Sequence, residues 1–462
     1  MKFEIHTKNN RAKLIGDISE EIEYKLQSEC LWTDELNFDH QILFYADGIL
    51  YPGVSYRIKN ILEEMGHECK IVLPELPKPQ YNWPFTWKYR YKQEEFADEL
   101  IKKRYGIGQA SAGFGKSAGF ASIICKVGLP SVVLVMEKEP QDQAIETLTD
   151  IIGEEYIGII GDGVYKPNVV NVCMIQTLMQ LIEKNDPFIE FLKNKAKIVV
   201  VDEAHAFTGD MAWKIFSILN SVEILVGVSA TPLPSHSRAP FVEALIGPVH
   251  YNITYSELIN EKVLCPLTLY TEKMPLKMYK IPGSQFARNR KYREIVDDYI
   301  VYNKERHKYI KGFVDEMLEE NISVAVVCQQ VEHAKSLHEM MPYGVVLTGR
   351  TPKKQREEIV RKLRNKEIMC VITTVFNQAV DIPSLGAVAI VAGGKSYVKL
   401  IQRIRSTRTF SGETATGHLT KTEGIVYYPY DRAPWLQNHS VAALKIFSEL
   451  IAQHSLNKMV SV

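Results

Sequence analysis

The sequence predicts an α/β protein with two parallel-sheet domains in tandem behind a small α+β N-terminal domain. Three observations predict it. Short apolar runs at 131–136, 169–174, 198–201 and 224–228 alternate with helical stretches, the pattern of βαβ units around a parallel sheet. The alternation resumes after about residue 305, with strand-like runs at 324–328, 345–347, 370–373 and 388–391. Pro74, Pro77, Pro79 and Pro84 set residues 1–80 apart from the rest of the chain. At roughly 100–200 residues per domain, 462 residues suffice for two to four domains.

Taken in order, residues 1–80 mix short apolar runs with acidic turns. Ile42-Leu43-Phe44-Tyr45 and Ile49-Leu50-Tyr51 flank Ala46-Asp47-Gly48, which predicts a hairpin with an Asp-Gly turn. Residues 56–65 predict a short amphipathic helix. The first parallel-sheet domain is expected at 85–240 and the second at 305–462, with a linker or insert at 241–304. Within that insert, 285–293 is polar, aromatic and basic, and is expected as an exposed linker or a DNA-contacting loop.

Composition narrows the class. Apolar residues make up 46% and charged residues 24%, an ordinary globular balance that excludes disordered and collagenous chains. The seven cysteines are far apart and form no Cys-x-x-Cys pair, so reduced, buried thiols of a cytoplasmic protein are expected, not zinc or a disulfide framework. No apolar run nears the ~18–20 residues that span a bilayer, and the start lacks a secretory apolar core, so no membrane partner is expected.

The chemistry concentrates in two motifs. Ala110-Ser111-Ala112-Gly113-Phe114-Gly115-Lys116-Ser117 fits a phosphate-binding loop, with Ala110 at the usual first glycine. Gly113 and Gly115 would let backbone N–H groups approach the phosphates, and the helix after them would aim its positive end there. Lys116 would reach the β- and γ-phosphates, and the Ser117 hydroxyl would hold Mg²⁺. Further on, the apolar run 197–201 delivers Asp202-Glu203-Ala204-His205 at the end of a buried strand, where such sheets bind ligands. Asp202 would hold Mg²⁺ through water, and Glu203 would orient and deprotonate the attacking water. The cofactors implied are therefore ATP and Mg²⁺.

Together these residues resemble a superfamily 2 helicase with a DEAH box. The resemblance implies two RecA-like motor domains. Ser229-Ala230-Thr231-Pro232 resembles the family's coupling motif, so Ser229, Thr231 and His205 would link hydrolysis to nucleic-acid binding. Gln93 stands where the family's adenine-reading glutamine lies. Gln143 (after Lys138-Glu139), with Gln176 and Thr177, resembles the strand-contacting segments of the first motor.

In the second motor, 326–334 resembles the fourth motif. Thr348, Gly349, Arg350 and Thr374 would contact DNA, and Asp381 would act in coupling. Residues 373–383 resemble the fifth motif, with Ala379 where a glycine is usual. Residues 402–408 resemble the sixth motif, but lack its glycine and are one residue short after Gln402. Arg405 and Arg408 keep the i, i+3 spacing that puts both on one helical face. The resemblance makes them the fingers that stabilise the γ-phosphate transition state.

Further likenesses point to the UvsW/XPB-like branch of DNA helicases: 381–385, 393–396, Tyr430-Asp431, His439-Ser440, and the pair Asn303 and Arg306. The N-terminal block resembles that branch's small duplex-recognition domain. The implied function is an ATP-dependent DNA helicase that unwinds or branch-migrates forks and Holliday junctions. It would act as a monomer, on branched duplex DNA with single strand in the motor cleft, alongside replication or recombination proteins. Three readings stay open beside it: a duplex translocase without strand separation, an RNA helicase, and a nucleotide-gated binding protein. Lys+Arg and Asp+Glu both number 55, yet the balance is uneven along the chain. Residues 1–80 hold 9 basic and 14 acidic residues (−5), and residues 350–408 hold 13 and 4 (+9). A local basic surface is what phosphate contacts need.

Overall fold

Asn9 and Asn10 both adopt left-handed backbone (φ 52 and 57) and turn β1 (Lys2–Lys8) back into β2 (Arg11–Ile15). Asparagine tolerates that region, and such turns match the twist of an antiparallel pair. Side chains alternate along both strands, with Phe3, Ile5, Ala12 and Leu14 facing inward. The computed structural model describes residues 1–33, 41–111, 113–230, 238–375, 385–393, 423–452 and 454–461. The chain divides into two compact units, Met1–Thr254 and Tyr255–Val462.

In the first unit, α1 (Glu20–Glu29) is capped by the Ser19 hydroxyl, which accepts from the Ile22 N–H. A short pair comes next, β3 (Leu31–Thr33) with β4 (Gln41–Leu43). Then β5 (Tyr45–Ala46) and β6 (Ile49–Leu50) form the expected hairpin, with Asp47 at φ 50 and Gly48 at φ 74. Helix α2 (Ser55–Glu64) falls where the amphipathic pattern puts it, and β7 (Glu68–Val72) pairs parallel to β1. The sheet order is β5-β6-β2-β1-β7.

After the proline-rich stretch come α3 (Gln93–Lys103), β8 (Tyr105–Ala110), α4 (Lys116–Val127), β9 (Ser131–Val135), α5 (Lys138–Ile152), β10 (Ile157–Gly161) and β11 (Val164–Lys166). They continue with β12 (Val170–Met174), α6 (Ile175–Glu183), α7 (Phe188–Asn194), β13 (Ile198–Asp202), α8 (Asp210–Ile218), β14 (Ile224–Ser229), α9 (Arg238–Ile246) and β15 (Val249–Ile253). The eight-stranded sheet runs β11-β10-β12-β9-β13-β14-β8-β15 and is parallel except at β11. Every residue of β9 and β14 is buried, as continuous apolar runs in a sheet covered on both faces should be.

The N-terminal sheet shares a hydrophobic core with this larger sheet. Trp32 meets Phe241 at 4.8 Å between ring centroids, Phe44 meets both Phe241 and Trp213, and Tyr51 meets Trp213 at 5.1 Å. At Gly53 a Cβ would lie 2.6 Å from the Ala244 carbonyl oxygen, so only glycine allows this approach to α9. The proline-rich stretch separates two sequence blocks, but the core passes across it.

The second unit opens with α10 (Tyr255–Asn260), β16 (Leu267–Lys273) and α11 (Gln285–Val296), which runs on into a π-helical turn, Asp297–Val301. Beyond it lie α12 (Lys304–Glu319), β17 (Ser323–Val327), α13 (Val331–Met340), β18 (Val345–Leu347), α14 (Lys353–Arg364), β19 (Cys370–Thr373), β20 (Leu385–Ile390), β21 (Gly424–Tyr430), α15 (Leu436–Ala452) and β22 (Lys458–Ser461). All seven strands are parallel, in the order β18-β19-β17-β20-β21-β16-β22. The expected α/β class with two parallel sheets and a small N-terminal part is therefore what the chain adopts.

Two stretches differ from expectation. Residues 241–304, expected as linker or insert, supply β15 to the first sheet and β16 to the second. Residues 285–293, expected as an exposed linker or loop, lie in α11. Its downstream end explains this: Tyr292, Ile295, Tyr299 and Ile300 pack with Met274, Ala433 and Leu436 in a satellite cluster. Tertiary burial of one end holds a helix whose upstream half is polar. Among the described residues, no helix is long and apolar enough to cross a membrane.

Packing and burial each generate a prediction. Phe241→Ala removes a ring shared by both sheets of the first unit and should cost about 3–5 kcal/mol. Thermal melting with proteolysis of the N-terminal block should show both parts loosening together; a block that melts alone would contradict the shared core. In the second unit, burial first of all holds His307 near pKa 4 and drives His333 well below its ordinary value. Because these pKa values are depressed on folding, their contribution is complete above pH 6.5 and drains away as pH falls towards 4. Urea denaturation at pH 7 and pH 4.5 should show a loss on the order of 3 kcal/mol from His307.

Candidate nucleotide site

Strand β8 ends at Ala110, and the chain turns through Ser111–Gly115 into α4. Gly113 and Gly115 lie at φ 97 and φ 88, in the region that glycine alone enters freely. A Cβ on Gly115 would also strike the Gln93 amide nitrogen at 2.6 Å. Phe114 is buried against Phe96, 5.3 Å between centroids, and its N–H donates to the Ser111 carbonyl. Ser111 Oγ donates to the Ile253 carbonyl, tying the loop to β15. Helix α4 starts at Lys116, so its first N–H groups stand where the loop ends, the arrangement that receives phosphate. Ala112 lies outside the described residues.

Gln93 is 3% exposed, although alone in sequence it reads as a surface residue. Its amide nitrogen donates to the Phe114 carbonyl at 2.7 Å, and its amide oxygen accepts from the Arg90 N–H at 2.9 Å. The side chain expected to read a base thus braces the loop from below.

Asp202 and Glu203 arrive at the carboxyl end of β13, between β9 and β14. Lys116 Nζ lies 3.5 Å from Glu203 Oε1. Glu203 takes a left-handed conformation (φ 51, ψ 51), fixed in part by its N–H donating to Asp202 Oδ1. A glutamate there is strained, and such strain collects at functional sites. On the far side, His205 Nδ1 is 3.3 Å from Glu203 Oε2 and 2.9 Å from Ser229 Oγ, at the end of β14. One polar chain therefore runs Lys116–Glu203–His205–Ser229 through three of the predicted motifs. Burial pushes the Glu203 carboxyl up, but Lys116 and then His205 outweigh it and hold the pKa well below the usual carboxylate range.

The residues present suit Mg²⁺ with a nucleotide. Ser117, in the first turn of α4, and Asp202, at the end of β13, offer hard oxygen donors, and the two glycines leave backbone open to phosphate. Among the described residues no three His, Cys, Asp or Glu side chains gather as a metal cluster. A cation here would be held by few protein groups and by the phosphates themselves.

Of the remaining predicted residues, Gln176, Thr177, Thr348, Gly349, Arg350 and Thr374 follow the carboxyl ends of sheet strands. Gln176, at the start of α6, donates to the Met136 carbonyl beyond β9, and Thr177 is the next residue of that helix. Gln143 lies on α5, the helix after the same strand. In the second unit, Thr348, Gly349 and Arg350 lie just beyond β18, and the Thr374 N–H beyond β19 donates to the Leu347 carbonyl. That bond brings these two segments side by side; Gly349 and Arg350 are exposed. Thr231, Asp381, Arg405 and Arg408 lie outside the described residues. Sequence reading misses Gln141, which is buried and donates to the Ile160 and Val172 carbonyls, fixing α5 to the sheet. It lies on the buried face of α5, in line with Ala144 and Leu148, where its residue type alone suggests a surface position.

Comparison with known proteins gives two family matches. Residues 86–233 match the family described as Type III restriction enzyme, res subunit, and residues 308–409 match the Helicase conserved C-terminal domain. The chain is 22% identical over 402 residues to DNA 3'-5' translocase XPB2 of Sulfurisphaera tokodaii, covering 79% of this chain and 85% of that protein. It is 25% identical over 240 residues to Putative helicase 22 of a Sulfolobus islandicus filamentous virus, covering 49% of this chain and 42% of the viral protein. Among solved structures, the fragment of a putative HsdR subunit of a type I restriction enzyme from Vibrio vulnificus aligns at TM-score 0.58. It has 14% identity and covers 92% of this chain and 76% of that one.

Gly115→Ala should abolish nucleotide binding, since the added methyl meets Gln93 and the φ is unfavourable. Titration with a fluorescent ATP analogue checks this; wild-type affinity would show that the loop does not hold phosphate.

Proposed function

The chain belongs to the superfamily 2 helicases, and on that premise we propose that it is an ATP-driven motor that moves on DNA. The observation that carries the proposal is the polar chain Lys116–Glu203–His205–Ser229, which joins the phosphate loop, the acidic strand end and the coupling motif. Phosphate arriving in the loop would draw Lys116 from Glu203. Burial would then act on Glu203 with less opposition, and its carboxylate would become a stronger base for the attacking water. Ser117 and Asp202 would hold Mg²⁺, which screens the phosphate charge. His205 would report the state of Glu203 to Ser229 and onward to Thr231. Arg405, Arg408 and Asp381 are proposed, by family resemblance, to complete the transition state and its coupling.

DNA as the track is supported by the description of the S. tokodaii relative as a DNA translocase and by the +9 charge over residues 350–408. Thr348, Gly349, Arg350 and Thr374, with Gln143, Gln176 and Thr177, would grip the strand. The open face of the N-terminal sheet carries Lys2, Lys8, Arg11, Lys13 and Lys70 against Glu4 and Glu68. The acidic surplus of that block lies elsewhere, so this face suits a duplex backbone. Action on forks and Holliday junctions in replication, recombination or repair, as a monomer in the cytoplasm, rests on the resemblance to the UvsW/XPB-like branch. A second reading, translocation along duplex without strand separation, is favoured by the same relative's description.

ATP hydrolysis measured with and without forked, Holliday, blunt-duplex and RNA substrates tests the proposal. DNA should stimulate the rate and Lys116→Ala should abolish it; a rate indifferent to DNA would overturn the motor reading. Unwinding confined to branched substrates supports helicase action, and movement without unwinding supports the translocase.

A further inference from the structure

Arg306 is fully buried in the second unit, and it is a charge. It sits in the first turn of α12, where the Asn303 side chain caps the helix and accepts from the Arg306 N–H at 3.1 Å. Its guanidinium is bidentate on Asp431, with Nε to Oδ1 at 2.7 Å and Nη2 to Oδ2 at 3.2 Å. The same Nη2 donates to the Val391 carbonyl at 2.9 Å. Asp431 is buried too, and its N–H donates to Ser440 Oγ on α15. Burial raises the Asp431 carboxyl above its ordinary value, against the opposing pull of the guanidinium beside it.

Val391 and Asp431 are the first residues beyond β20 and β21, adjacent parallel strands. One side chain thus pins the start of α12 and the carboxyl ends of two neighbouring strands. A third contact extends the cluster. The neighbouring His307 donates through Nε2 to the Ile300 carbonyl in the π-helical turn, and its ring stacks at 5.3 Å on His333 of α13, the helix after β17. A buried ion pair contributes little to net stability, because desolvation offsets the attraction. Apolar residues would pack this corner at less cost. What the pair supplies instead is geometry, since a guanidinium fork fixes both carboxylate and carbonyl in one plane.

The carboxyl edge is where parallel sheets of this class bind ligands. In sequence, the chain leaving β20 at Val391 leads to Arg405 and Arg408. We propose that Arg306 is a positioning residue for hydrolysis: through Asp431 and Val391 it sets the carboxyl edge of the second sheet, and with it the start of the stretch that carries Arg405 and Arg408 in sequence. The proposal rests on the motor reading, and adds a residue that touches neither nucleotide nor DNA.

Steady-state ATP hydrolysis at saturating DNA tests it, with three variants of graded severity: Ser440→Ala, Asp431→Asn and Arg306→Lys. The kcat should fall in that order, reaching about tenfold or more for Arg306→Lys, while KM for ATP stays within about threefold. Met317→Ala, at the far end of the same helix, serves as the control for lost stability alone; it should lower the melting temperature and leave kcat near wild type. If Arg306→Lys does not fold, the two milder variants are read against the same control. Unchanged kcat in folded variants, or a kcat loss that Met317→Ala reproduces at equal melting temperature, would overturn the proposal. A wild-type rate that ignores DNA would overturn the motor reading instead.

Discussion

The contact between Lys116 and Glu203 organises the first sheet's ligand edge. The two residues are far apart in sequence, and meet because β8 and β13 are both parallel members of one sheet and end at the same edge. Each is awkward alone. Lys116 sits at a helix N-terminus, where the dipole disfavours a cation. Glu203 is largely buried and backbone-strained. Together they neutralise each other in a place where an incoming phosphate can replace the carboxylate. The site is thus held by a partnership suited to exchange.

The same geometric rule governs the second unit. Seven parallel strands bring 328–330, 348–351, 374–375, 391–393 and 431 to one edge. The parallel arrangement gathers these ends but does not fix their relative heights. Hydrogen bonds between neighbouring loops do that, such as Thr374 N–H to the Leu347 carbonyl and Arg306 across Val391 and Asp431. Exposed ion pairs elsewhere, such as Arg361 with Glu358 and Glu367 on and beyond α14, contribute far less order, because water screens them.

Much of this is legible in the sequence. The buried strands β9, β13 and β14 announce themselves as short apolar runs rich in valine and isoleucine, and the Asp-Gly turn needs two left-handed residues that few other pairs supply. Lys116, Glu203, His205 and Ser229 each stand out in a local motif, and they meet in one chain of contacts. What escapes sequence reading depends on distant partners. Trp32, Phe44, Tyr51, Trp213 and Phe241 are scattered aromatics until the chain folds and makes them one cluster. Gln93 suggests the base it would touch, and nothing in its neighbourhood points to the loop carbonyl that it holds. Helix α11 escapes because its anchor, around Ala433 and Leu436, comes from the far end of the chain.

The glycine at position 53 and the aromatic cluster beside it have a mechanical meaning. A sheet joined to its neighbour by a continuous packed core has no slack of its own; it cannot swing, search or lag behind. Whatever the N-terminal face holds must share the displacement of the ATP-binding sheet, stroke for stroke. That stiffness makes the appended sheet one body with its larger neighbour, so that any force on it passes through side chains instead of a tether.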